Sequence, residues 1–221
     1  MTTTELIAAV CSAGGLGMLQ RGAAPALSPR IEELEQAGAT PFGVNFVPPL
    51  GQGTDADVDL AASRARLVEF FYSDPDPRVV KRVHAGGALA SWQVGSVEEA
   101  RRAVEAGCDL IVVQGVEAGG HVRGTTALLP LLSAVLDIVQ VPVVAAGGIV
   151  TGRSVAAALA AGAAAVRVGT RLLATTESGA HPEYVAALLA AGDDPTVLTS
   201  AFSVGWPDAP HRVLRAALVA A

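Results

Sequence analysis

The chain has 221 residues, 51% of them hydrophobic but only 4% aromatic, and a formal net charge of −6. That length suits one large domain, here read as residues 1–221, with a well-buried core of Ala, Val and Leu. Scattered basic residues and an acidic balance argue against a nucleic-acid or anionic-membrane surface, and no apolar run approaches the ~20 residues of a spanning helix.

Taken in chain order, apolar strand-like runs alternate with helical patterns. A helix at Glu5 to Ser12 precedes a strand at Gly15 to Leu19, and a helix at Pro29 to Ala37 leads to a strand at Phe42 to Phe46. Strands follow at Leu67 to Ser73, Ala88 to Val94, Leu110 to Gln114, Val141 to Ala146 and Ala164 to Val168. Helices are predicted at Pro75 to His84, Val97 to Ala106, Thr126 to Leu136, Ser154 to Ala161 and Pro182 to Ala190, with a last one from about Ala209. Ser96 caps one of these helices and Gly107 closes it. Repeated βα units of this kind build a parallel sheet, and a (β/α)8 barrel of TIM type is its natural form. A doubly wound open sheet is the alternative, but the Gly14-Gly15-Leu16-Gly17 cluster precedes a strand instead of following one. Cys11 and Cys108 are far apart and read as reduced, buried thiols, and the N-terminus lacks signal-peptide features. A cytoplasmic protein without a metal site is expected.

In a parallel barrel the chemistry lies at the C-terminal strand ends. Three glycine-bearing turns stand there. Gln114 ends a strand and Gly115-Val116-Glu117-Ala118-Gly119-Gly120 then presents His121. Gly147-Gly148 follows the next strand, and Val168-Gly169-Thr170 the one after. Turns of that kind on consecutive strands can direct backbone N–H groups at one phosphate. Asn45 and Gln93 also end strands, and Tyr72 and Ser73 either face the pocket or pack beneath the helices. His84, His181 and His211 read as helix-end or surface residues, and Trp206 as a core or partner contact.

These motifs resemble the nitronate monooxygenase family. The resemblance rests on Leu6 to Val10 running into Ala13-Gly14-Gly15-Leu16-Gly17, on Phe42-Gly43-Val44-Asn45-Phe46, and on the Gln114 to His121 loop. Pro142 to Ile149, Arg167-Val168-Gly169-Thr170-Arg171 and Ala180-His181-Pro182 add to it. The family's opening strand has no counterpart ahead of the first helix, so a barrel lacking its first strand is expected, with the strands at Gly15 and Ala164 left as open edges. The resemblance implies FMN held by Asn45, Gln114, Gly119, Gly120, Gly147, Gly148, Val168, Gly169 and Thr170. It implies His121 as the catalytic residue, positioning an alkyl nitronate or acting as base on a nitroalkane by a neutral imidazole near its unperturbed pKa of ~6.5, with O2 as acceptor. A flavin-dependent enoyl-thioester reductase and a catalytically silent barrel serving as a binding module are the alternatives. A homo-oligomer, or the tail near Phe202 to Trp206, is expected to cover the open edge.

Overall fold

The computed structural model describes residues 2–21, 27–193, 195–201, 206 and 209–216. Seven parallel strands form one sheet in chain order: β1 (Gly17–Gln20), β2 (Phe42–Phe46), β3 (Leu67–Phe71), β4 (Leu89–Val94), β5 (Leu110–Gln114), β7 (Val143–Ala146) and β8 (Ala165–Arg167). The sheet is open. Among the described residues β1 and β8 are its end strands and do not pair with each other.

The sheet is also curled, which a single contact demonstrates. Four pairings separate β3 from β8, roughly 19 Å along a flat sheet at about 4.8 Å per strand. Yet Arg167 of β8 bonds Glu69 of β3 at 2.6 Å through both guanidinium ends. The result is a half-barrel of TIM type.

Helices α1 (Thr4–Ser12), α2 (Leu27–Gln36), α3 (Asp55–Arg64), α4 (Pro77–Ala85), α5 (Val97–Glu105), α6 (Leu128–Leu136), α7 (Gly152–Ala160) and α8 (Pro182–Leu189) connect or follow the strands. The sequence reading had not singled out α3. Its signal is a cap: Thr54 accepts the N–H of Asp57, and Val58, Ala61 and Ala62 face inward. The strands read as near-continuous apolar runs because both faces are covered; β3 is buried at all five positions. Cys11 and Cys108 are buried and free, and burial pushes the Cys108 thiol up to about 12. No helix among the described residues is long and apolar enough to cross a membrane, and no His, Cys, Asp and Glu cluster there could hold a metal.

The tail departs from expectation. In place of the expected helix from Ala209, residues His211–Leu214 form β10, paired antiparallel with β9 (Thr196–Thr199) and with the two-residue β6 (Gly120–His121). Helical propensity here is overridden by two strand partners that offer unpaired backbone groups. Phe202 lies outside the described residues. Trp206 packs on Val47, Phe71, Tyr72 and Ala209 at the ends of β2 and β3, so it roofs the strand-end face and does not cover the open edge.

Candidate functional site

Several buried polar groups lie within the strands and at their C-terminal ends. Asn45, Glu69 and Ser91 sit at one register level across β2, β3 and β4. Glu69 is 0% exposed, which a carboxylate tolerates only when it is paired and hydrogen-bonded. It accepts from Asn45 Nδ2 at 2.7 Å and takes the Arg167 guanidinium in a two-point bond. Arg167 also donates to Gln93 Oε1 at 2.8 Å. The strand-end amides Asn45 and Gln93 therefore serve an ion pair that spans the half-barrel interior.

The loop from Gly115 to His121 is fixed from four directions. Gln114 is buried, donates through Nε2 to the His121 carbonyl at 2.9 Å and accepts the Arg123 N–H at 3.1 Å. Its amide thus shapes the loop from below. Ala127 contributes no side-chain cap to α6; instead the Glu117 carboxylate accepts the N–H of Leu128 at 3.0 Å, where the helix dipole favours a negative charge. Arg212 of β10 donates to the Val116 carbonyl at 2.8 Å. A Cβ on Gly119 would collide with the Thr170 hydroxyl, so glycine there lets this loop approach the turn after β8.

His121 stands in an aromatic cluster. Its ring stacks on His211 at 4.4 Å and 9°, lies 4.2 Å from Trp206, and meets the edge of Tyr72 at 6.0 Å. Burial, with a smaller contribution from His211, pushes its pKa down from 6.5 to about 4. The pKa thus lies below the ~6.5 expected, and the imidazole is uncharged at neutral pH. Tyr72 has φ of 65°, a left-handed conformation that a bulky residue rarely adopts. It is held there by its hydroxyl donating to the Val122 carbonyl at 2.8 Å and by Trp206 at 4.6 Å. The Arg123 guanidinium lies 5.4 Å over the Tyr72 ring and is anchored by Glu99 at 2.6 Å.

The remaining glycine turns leave neighbouring strand ends. Ala146 and Arg167 are register partners, so Gly147-Gly148 and Val168-Gly169 emerge side by side. Gly147 and Gly148 have φ of 115° and 66°, conformations that glycine adopts without penalty. Among the described residues, the N–H groups of Gly148 and Gly169 have no protein acceptor, and Thr170 opens a short 3-10 turn. A Cβ on Gly169 would meet no atom within 4 Å, so the turn borders open space. Unpaired donors beside α7 fit an anionic group such as a phosphate.

Of the residues singled out in the sequence, Gly119, His121, Gly147, Gly148, Val168, Gly169 and Thr170 gather at one end of the sheet, with Gly120 held in β6. Asn45 and Gln114 reach the same end but spend hydrogen bonds on Glu69 and on the loop. His84 instead pairs with Asp109 at 2.8 Å, and His181 caps α8. Glu69, Arg167, Arg123 and His211 also stand at this face and are not among the site residues expected from the sequence, whereas Trp206 is weighed there as a cover. Only Glu69 carried a local signal, a lone carboxylate inside Leu67-Val68-Glu69-Phe70-Phe71.

A family model described as nitronate monooxygenase matches residues 54–221. The chain belongs to the nitronate monooxygenase family. This is a family of flavin-dependent oxidoreductases. The chain is 37% identical over 220 residues to a (3aS,4S,5R,7aS)-5-hydroxy-7a-methyl-1-oxo-octahydro-1H-indene-4-carboxyl-CoA dehydrogenase of Mycobacterium tuberculosis, covering 97% of this chain and 60% of that protein. It is 30% identical over 251 residues to a probable nitronate monooxygenase of Staphylococcus aureus, covering 91% and 70% of the two chains. Among solved structures, FabK of Thermotoga maritima superposes with a TM-score of 0.87 at 36% identity, covering 97% and 68% of the two chains. A nitroalkane oxidase of Streptomyces ansochromogenes superposes with a TM-score of 0.86 at 35% identity, covering 96% and 73%. The chain thus spans 60% of the length of the dehydrogenase it matches.

Proposed function

We propose that this nitronate monooxygenase-family chain binds FMN at the strand-end face and takes part in the oxidation of alkyl nitronates by O2. The observation that carries the reading is an uncharged His121 held beside glycine turns with unpaired N–H donors. The phosphate of FMN suits the donors of Gly148, Gly169 and Thr170, reinforced by the start of α7. Gly119, Gly120, Gly147 and Val168 border those donors and offer backbone contacts to the flavin. Asn45 and Gln114 contribute from below, one through its free carbonyl oxygen and the other by placing the loop. When bound, FMN would supply the redox chemistry, accepting electrons from the substrate with O2 as the final acceptor.

The chain's own residues orient the substrate. A neutral imidazole donates from one ring nitrogen and accepts at the other, so His121 can hydrogen-bond an anionic nitronate oxygen. A group with a pKa of about 4 is a weak base at neutral pH. That favours positioning of a preformed nitronate over removal of a carbon-bound proton from a neutral nitroalkane. Tyr72 and Trp206 exclude water from the same face. Replacing His121 by Ala should lower kcat/KM for a nitronate about 10- to 100-fold, the worth of one hydrogen bond to a charged group. An unchanged kcat/KM would remove His121 from the reaction.

The test is direct. Purified protein titrated with FMN should acquire flavin absorbance and then consume O2 when given an alkyl nitronate. Gly169→Val should weaken FMN binding at least 10-fold, measured at a temperature where the variant's unfolding curve shows it folded, since the added Cβ itself meets no protein atom and points into the open space beside the turn. Equal FMN affinity in both proteins would reject the phosphate site. A protein that stays colourless at saturating FMN would instead support the silent barrel.

A second reading draws on the Mycobacterium tuberculosis relative, which is named for a carboxyl-CoA substrate. A flavin-dependent enoyl-thioester reductase would oxidise NAD(P)H in the presence of a thioester and ignore the nitronate, which separates the two.

A further inference from the structure

His121 and His211 come from distant parts of the chain and meet through the backbone. They are register partners in the β6–β10 pairing, and opposite residues of an antiparallel pair project to the same side about 5 Å apart. Their rings stack nearly parallel at 4.4 Å. The His211 ring also lies over Gly120, whose missing Cβ would stand 3.9 Å from Nε2. Trp206 contacts His121 at 4.2 Å. Trp206 and His211 thus both pack on the His121 ring.

We propose that His211 is a positioning residue for His121, holding the imidazole in one orientation and in its uncharged form at the strand-end face. This rests on the reading of His121 as the group that meets substrate. Two parallel imidazolium rings at stacking distance repel, so the pair carries at most one positive charge over the ordinary range of pH. Burial lowers the pKa of both rings, which points the same way.

The other charged and titratable groups around His121 do not reverse this. From the end of β3 comes the Tyr72 phenol, whose pKa burial raises, so it is neutral. After β6, Arg123 is neutralised by Glu99 of α5 and sits over Tyr72. From the loop itself, Glu117 is turned to the start of α6. From β10, Arg212 is spent on the Val116 carbonyl and Thr196. A second histidine, unlike a lysine, stacks without imposing a permanent charge. A phenylalanine would stack equally well but would not couple to the proton on His121.

The experiment follows the imidazole resonances by 15N NMR as pH is varied, in the full chain and in His211→Ala and His211→Phe. Wild-type His121 should titrate well below 6.5 as one tautomer. His211→Ala should raise its midpoint by about one unit or more and mix the tautomers, because a desolvating ring and a competing charge are both removed. His211→Phe keeps the ring and removes only the charge, so the midpoint should rise by less, about half a unit, with the tautomer retained. Turnover of a nitronate should fall in His211→Ala chiefly through kcat, since the ring is misoriented rather than absent. A His121 midpoint and tautomer unchanged in His211→Ala would overturn the proposal. Should that variant not fold, an unmoved midpoint in His211→Phe would do the same. The titration needs no turnover, so a failure of the nitronate reading leaves it decisive.

Discussion

Replacing Arg167 by Met should destabilise the folded chain by about 3–5 kcal/mol, the cost of leaving a buried charge without its partner. Glu69 is 0% exposed, whereas the Arg167 side chain is 26% exposed. The two ends of the pair are therefore unequal. Losing Arg167 strands a carboxylate with no route to water, and Asn45 alone remains to bond it. Losing the charge of Glu69, as in Glu69→Gln, strands a guanidinium that can rotate toward solvent and keeps its bond to Gln93. Urea unfolding should accordingly show Arg167→Met well below Glu69→Gln in stability, and Arg167→Met combined with Glu69→Leu should recover much of the loss. A loss under 1 kcal/mol for Arg167→Met would mean that the pair does not hold β8 to the rest of the sheet.

Stability should also fall as pH drops from 6.5 toward 4. His121 titrates at about 4 in the folded chain and near 6.5 when unfolded. Between those values the unfolded state binds more protons, so acidification favours unfolding. The stabilising contribution is complete above pH 6.5 and lost by about pH 4. His211 shifts the same way and belongs to the same coupled pair. Carboxylates also titrate at the acid end, so the diagnostic quantity is the difference between wild type and His121→Phe. Unfolding free energies at pH 7.5, 5.5 and 4.5 should show the wild type losing more than the variant across this window, by about 1 kcal/mol or more once solvent screening is allowed for. Parallel curves for the two proteins would show that His121 is not held neutral by the fold.

Both effects act on the same end of the sheet, through different parts of it. The Glu69–Arg167 pair sets where the turn after β8 stands, since Gly169 and Thr170 follow Arg167 by two and three residues. The His121 stack sets the state of the group above it. An FMN site built from backbone donors depends on the first; a substrate held by an imidazole depends on the second.

The sequence by itself determined whatever is encoded within one βα unit. Apolar runs marked all seven strands of the main sheet, because strands covered on both faces need continuous hydrophobicity. The Ser96 cap and the glycines after β5, β7 and β8 are local backbone requirements, so they were legible without a fold. Those glycines, with His121, carried the family resemblance. The tertiary structure decided the rest. Arg167 reaches Glu69 across 98 residues only because the sheet curls, and no periodicity records that curl. Gln114 looked like a ligand at a strand end, yet loop geometry turned its amide onto the His121 carbonyl and the Arg123 N–H. His211 looked like part of a terminal helix because its neighbours favour one. Pairing with β6 and β9 made it a strand, and the register of that pairing set its ring on His121. Local propensity amounts to tenths of a kcal/mol per residue, and long-range pairing with buried partners outweighs it.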